Sequence, residues 1–252
     1  MNQLKMSALV LALTSIATGS AMAQSSKTNA WEGFYGQAAV GFGMVTPSIS
    51  NGTAGIPANV AYLGSPAFTA NTNASSVNNI NTALGNLAVG YNFGITSNYI
   101  LGIGASYYPG ASSSATGQLN MTAPAGVPGI PAGTTLDTQK ATYNMKNLYS
   151  ITLNPGYVID KDRLVYAKVG YSAVTVGLSS PAIAYNTVNL TGYTLGLGYK
   201  QMITESIYML GEINYASYGQ KTATANAYNI IPVSVPVKAT GTDFLVGVGY
   251  RF

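Results

Sequence analysis

Four short segments of this 252-residue chain share one frame: LAVGYNF (Leu87 to Phe93), LNPGYVI (Leu153 to Ile159), LGLGYKQ (Leu195 to Gln201) and VGVGYRF (Val246 to Phe252). Each is an alternating segment that reaches a Gly-Tyr pair. The first three are followed by a short polar turn, Thr96-Ser97-Asn98, Asp160-Lys161-Asp162 or Thr204-Glu205-Ser206, and then by a new alternating segment. Alternation with period two puts successive side chains on opposite faces of a strand. Two such segments joined by a polar turn predict a hairpin.

Extended along the chain, this pattern predicts eight strands: Phe34 to Val45, Ile80 to Gly94, Tyr99 to Tyr108, Met145 to Ile159, Arg163 to Val176, Thr187 to Met202, Ile207 to Gly219 and Lys238 to Phe252. Three short turns lie on one side. On the other lie long connections, residues 46–79, 109–144, 177–186 and 220–237. Short turns at one end and longer loops at the other are the arrangement of a transmembrane barrel.

Composition decides between a membrane barrel and a soluble one. Only 7% of residues are charged and the mean hydropathy is +0.21, against roughly 25% charged residues in soluble domains. At the N-terminus, Lys5, the apolar stretch Met6 to Ile16 and Ala21-Met22-Ala23 read as a secretory signal peptide over residues 1–23. The barrel domain is then expected over residues 24–252. No run of 18 apolar residues follows, so no transmembrane helix is available. A closed barrel is the remaining way for an exported apolar chain to span a membrane. The expected fold is all-β, an eight-stranded antiparallel up-and-down transmembrane β-barrel in the bacterial outer membrane.

The alternation also assigns faces. Phe244, Val246, Val248, Tyr250 and Phe252 share one face of the last strand, and Asp243, Leu245, Gly247, Gly249 and Arg251 the other. The first face suits acyl chains; the second, small or polar, suits the interior. An eight-stranded lumen is just wide enough for side chains to fill it, and inward glycines leave room there for long residues. The predicted lumen charges are Lys146, Lys168, Lys200, Glu212, Asp243 and Arg251. Buried charges need partners, so Glu212 is expected to meet Lys168 or Arg251, with Asn154 and Asn214 nearby. Aromatics belong at the membrane interfaces. Trp31, Phe34, Tyr91, Phe93, Tyr157 and Tyr199, with Tyr250 and Phe252, are expected as a girdle at the turn end, and Tyr107, Tyr149, Tyr193 and Tyr215 lie further along.

GFYGQAAVGFG (Gly33 to Gly43) and the closing VGVGYRF resemble the first and last strands of the eight-stranded outer-membrane β-barrel family, the OmpA-like and Omp25-type proteins of Gram-negative bacteria. The resemblance covers Trp31 to Phe252. It implies an outer-membrane location, with lipid and lipopolysaccharide as surroundings. It also implies that Tyr250 and Phe252 form an assembly signal read by the barrel assembly machinery. The two-domain members continue into a peptidoglycan-binding domain; this chain stops at the barrel, so peptidoglycan anchoring is not implied.

Function is less constrained. With no His and no Cys, the commonest general base and the commonest metal ligands are missing, so neither catalytic residues, a metal site nor a cofactor is expected. No basic run marks a nucleic-acid surface. The long connections are unusually apolar: AGIPANVAYLGSPAF (Ala54 to Phe68), APAGVPGIPAG (Ala123 to Gly133) and NIIPVSVPV (Asn229 to Val237). Their prolines are expected to keep them out of the sheet. Exposed apolar surface marks a binding patch, which points to adhesion or contact with a host or surface ligand; the other reading is that they fold over the barrel mouth or lie against lipopolysaccharide. The sequence therefore suggests a structural, surface-exposed barrel, with a narrow porin-like channel for small solutes as the alternative.

Overall fold

Period-two alternation becomes strand throughout. The computed structural model describes residues 28–58, 66–109 and 113–252, so the expected signal peptide lies outside the described residues. Among the described residues there are eleven strands: β1 (Gly33–Ile49), β2 (Gly52–Ile56), β3 (Phe68–Ser75), β4 (Ile80–Gly94), β5 (Tyr99–Tyr108), β6 (Ser114–Thr122), β7 (Thr135–Asp160), β8 (Arg163–Ser179), β9 (Asn186–Met202), β10 (Ile207–Ala227) and β11 (Ile231–Arg251).

Eight of them close a ring. Antiparallel pairing runs β1–β4–β5–β7–β8–β9–β10–β11 and returns to β1. The closing seam is long and in regular register, from Tyr35↔Arg251 to Ile49↔Val237, which joins the first and last strands of the ring and removes the edges they would otherwise present. The three polar turns lie at one end, where Arg163 Nη2 is 2.5 Å from Asp160 Oδ2. That hydrogen-bonded guanidinium holds the Asp160 carboxyl below the usual carboxylate range.

The other three strands answer a question of length. A tilted strand needs roughly 9–11 residues to cross a membrane, yet β7 has 26 residues and β10 and β11 have 21 each. Beyond the membrane-spanning part, β1, β4 and β5 stop, and β2, β3 and β6 take their place, carrying the wall β7–β6–β3–β2–β11. The long connections are thus largely a second storey of sheet, here termed the crown. The expectation that prolines keep these segments out of the sheet holds for Ala123 to Gly133, which lies between β6 and β7, and is overturned for Asn229 to Val237. Pro232 and Pro236 sit inside β11, opposite Asn226 and Thr222. Proline removes only a donor, and the Pro236 carbonyl still accepts from Ser50 N at 2.9 Å.

The expected apolar patch is corrected in the same way. Ala54, Ile56, Ala123, Val127, Ile231, Val233 and Val235 are buried, and Ala54, Ile56, Ile231, Val233 and Val235 join Ala70, Met121 and Ile183 in the crown's own core. Water around the crown drives these side chains inward as it would in any soluble sheet.

The seam supplies a test. A Cβ at Gly41 would overlap the Phe244 carbonyl, and one at Gly247 the Ala38 carbonyl, whereas one at Gly36 would meet open space. Gly41→Val is expected to prevent most molecules from reaching the compact, heat-modifiable form on unboiled gels, and Gly36→Ala to leave that form intact.

Candidate functional site

The lumen at the turn end is built from inward residues of alternate positions. Glu212 is buried at its centre and accepts hydrogen bonds on both oxygens. Tyr166 Oη donates to Oε1 at 2.5 Å and Gln37 Nε2 to the same oxygen at 3.2 Å. Lys168 Nζ donates to Oε2 at 2.7 Å and Asn214 Nδ2 at 3.4 Å. A buried charge is tolerated only with this degree of pairing and hydrogen bonding.

Lys200, also buried, is held differently. Its ammonium lies 4.1 Å from the ring centre of Tyr35, 4.8 Å from Tyr208 and 5.0 Å from Tyr166, a desolvated cation over aromatic faces. The cage is tied back to the carboxylate, because Tyr208 Oη donates to Gln37 Oε1 at 3.2 Å. Asn154 Nδ2 donates to Tyr35 Oη at 3.3 Å, and Asn214 Nδ2 also reaches Asp243 Oδ1 at 2.8 Å. Inward glycines make room for this cage. A side chain at Gly198 would overlap the Tyr166 ring, one at Gly249 the Tyr208 ring and one at Gly90 Tyr35.

Below the cage the residues before β1 close the mouth. Trp31 is 1% exposed and packs edge-on against Tyr208, with ring centres 5.7 Å apart. Asn29 anchors it, donating to the carbonyls of Thr96 and Ser97 at 3.0 and 2.8 Å and accepting from Trp31 N at 2.8 Å. Asn92 Nδ2 donates to the Trp31 carbonyl at 2.9 Å.

Against expectation, then, Trp31 is not a girdle residue but the stopper of the lumen. It precedes the first strand, so no alternation assigns it a face. Phe34, Tyr91, Phe93, Tyr157, Tyr199, Tyr250 and Phe252 do lie on the outer side at the turn end, with Phe34, Tyr91 and Phe93 stacked in sequence at 4.7 Å spacings. Lys146 is the second correction. Its side chain is exposed and lies over the Tyr185 ring. The β7–β8 register shifts between Lys146 and Tyr149, and Asn147 has φ 53°. A bulge adds one residue and so exchanges the two faces.

Lys168, Lys200, Glu212 and Asp243 come together in the lumen, with the expected Glu212–Lys168 contact. Arg251 stands apart at the turn end, where it donates to the carbonyls of Ala30 and Glu205. Tyr35, Gln37, Tyr166 and Tyr208 were not among the predicted site residues; the signal for the tyrosines is an inward tyrosine beside an inward glycine on a neighbouring strand. Among the described residues no three His, Cys, Asp or Glu gather as metal ligands.

The family model described as "Outer membrane protein beta-barrel domain" matches residues 9–252. The chain belongs to that family. Its place is accordingly the bacterial outer membrane, among lipid and lipopolysaccharide. Among solved structures, the outer membrane protein OprG from Pseudomonas aeruginosa is similar over 88% of this chain and 97% of its own, at 16% identity and a TM-score of 0.52, which supports the fold alone. The attachment invasion locus protein Ail of Yersinia pestis, solved with a heparin analogue, matches over 87% of this chain and 99% of its own, at 13% identity and a TM-score of 0.40. The outer membrane protease OmpT from Escherichia coli matches over 86% of this chain and 97% of its own, at 11% identity and a TM-score of 0.45. No curated protein matches the chain.

Removing the central carboxylate should be costly. Glu212→Ala leaves Lys168 buried without its counter-charge, a change worth about 3–5 kcal/mol. Urea unfolding of the barrel in lipid is expected to shift to lower denaturant by that amount, with Lys168→Met/Glu212→Leu recovering part of it.

Proposed function

We propose that this chain is a non-conducting outer-membrane barrel that holds a sheet crown at the cell surface for contact with its surroundings. The observation that carries the reading is the filled lumen. Trp31, the tyrosines around Lys200 and the Lys168–Glu212 pair occupy the turn-end half across its width. An eight-stranded barrel has little spare interior, and no catalytic or cofactor role is needed to explain these groups.

The crown supports the contact part. Its outward face is polar, with the neutral Thr53, Thr69, Asn71, Asn73 and Thr138 exposed beside the cations Lys140 and Lys221. Asn120 ties three strands on that face, donating to Asn73 Oδ1 at 3.2 Å and accepting from Thr138 Oγ1 at 3.2 Å. Tyr228 and Ile230 project from the β10–β11 turn, each 53% exposed. Such a surface suits neutral sugar and amide partners: the lipopolysaccharide sugars around it, or a host or surface ligand. Tyr250 and Phe252, outermost on the seam strand, serve as the signal for the assembly machinery.

In a planar bilayer the purified protein is expected to give no steady conductance. Steady openings whose size changes in Glu212→Gln would replace this reading with the narrow channel. In cells, Phe252→Ala is expected to slow insertion several-fold while refolding into detergent stays close to wild type; equal insertion rates would remove the assembly role.

A further inference from the structure

Two apolar clusters fill the extracellular half of the lumen, and they do not meet completely. The lower one packs Tyr143, Met145, Val174, Leu190 and Tyr218 inside the barrel. The upper one is the crown's core, around Ile56, Met121, Ile231 and Val233. Between them lies a cavity of about 70 Å³, lined by side chains of both clusters, among them Leu119, Val188, Leu190, Val235 and Val237. Folded interiors leave few voids larger than a water molecule. This one has roughly twice a water's share of liquid volume. A cavity with such walls stays dry and accepts apolar guests. The one charged side chain on its lining is Lys238, which is exposed.

The cavity also has a door. Beside the cavity, β9–β10 pairing stops at Tyr218↔Gly192. Above that point the first residues of β9 pair only with β8, and Lys221 to Asn226 pair only with β11. The register irregularity between Tyr218 and Lys221 starts this divergence. Asn186, Thr187, Thr224 and Ala225 stand on both sides of the seam and line the cavity. A side-chain bond from Asn186 Nδ2 to the Thr224 carbonyl crosses it. Above, Ile183 is buried on a tight turn and bridges to Ala227, forming a roof. The last pair before the seam opens lies one row past Tyr193 and three past Tyr215, both exposed on the outer face.

We propose that this cavity is a binding site for a small uncharged apolar molecule or the end of an aliphatic chain, entered between β9 and β10. Its mostly aliphatic walls disfavour charged ligands, because the few neutral polar side chains, at the door, would not replace a charge's lost hydration. The site does not depend on whether the turn-end lumen conducts.

The test uses the whole folded protein in lipid nanodiscs with labelled Ile, Leu and Val methyl groups. Xenon under pressure is expected to shift the Leu190, Val188 and Val235 resonances saturably, and n-butane to compete with it. Gly117 lines the cavity and has room for a Cβ, which would lie 3.4 Å from Val77 Cα and 3.5 Å from Tyr143 Cε1. Gly117→Leu should therefore fill the void and reduce the shifts at least fivefold. Ala225→Leu fills it from the opposite wall if the first variant folds poorly. Asn186→Ala should speed exchange of bound xenon severalfold by loosening the door. A phospholipid carrying a nitroxide at its chain end separates the sources: broadening of Leu190 that Gly117→Leu abolishes identifies a chain end, and unbroadened Leu190 a free small molecule. Shifts that never saturate, or that persist in both filled variants, would overturn the site. Unchanged exchange in Asn186→Ala would overturn the door.

Discussion

A carboxylate buried in the middle of an eight-stranded lumen sets the terms for everything around it. Glu212 could not stay ionised there alone, so it gathers Lys168, Tyr166, Gln37 and Asn214 onto its two oxygens. Those partners come from β1, β8 and β10, strands far apart in the chain, so the network forms only when the ring is closed. Such pairs add less to stability than their Coulomb attraction suggests, because desolvation offsets it. Their value lies in specifying one arrangement. The tyrosines of the Lys200 cage extend that order to the lumen wall, and the glycines opposite them fix where each ring can sit.

The barrel therefore has two interiors with different physics. The turn-end half is polar, organised around the Glu212 network and closed beneath by Trp31. The crown-side half is apolar, because crown and upper barrel bury aliphatic side chains against one another. The two halves use the same strands, and β7, β10 and β11 run through both. That continuity lets a crown stand in water on a wall anchored in lipid.

Much of the barrel was legible in the sequence. The Gly-Tyr frames and polar turns locate the ring strands closely at the turn end, where hairpins are tight and alternation is strict. Lys168, Lys200, Glu212 and Asp243 follow from counting by two along those strands. Counting fails where the backbone breaks period. The bulge at Asn147 puts Lys146 outside, and Trp31 lies before any strand begins. The crown strands were hidden for another reason. The proline-containing start of β11 and the short β2, β3 and β6 look like loops until a neighbouring strand supplies a partner, and β2 to β11 pairing spans most of the chain. Long-range pairing of that kind leaves no local signature.

The proposed seal of the turn-end lumen around Glu212 can be read from the reactivity of individual lysines in the folded protein in lipid vesicles. A water-soluble amine-acetylating reagent, read by mass spectrometry, should modify the exposed Lys140, Lys146, Lys221 and Lys238 readily. Lys168 and Lys200, 7% and 4% exposed, should react only after unfolding. Modification of Lys200 in the folded barrel at the rate of Lys146 would show that water and solutes reach the cage, and the account of a sealed lumen would be wrong.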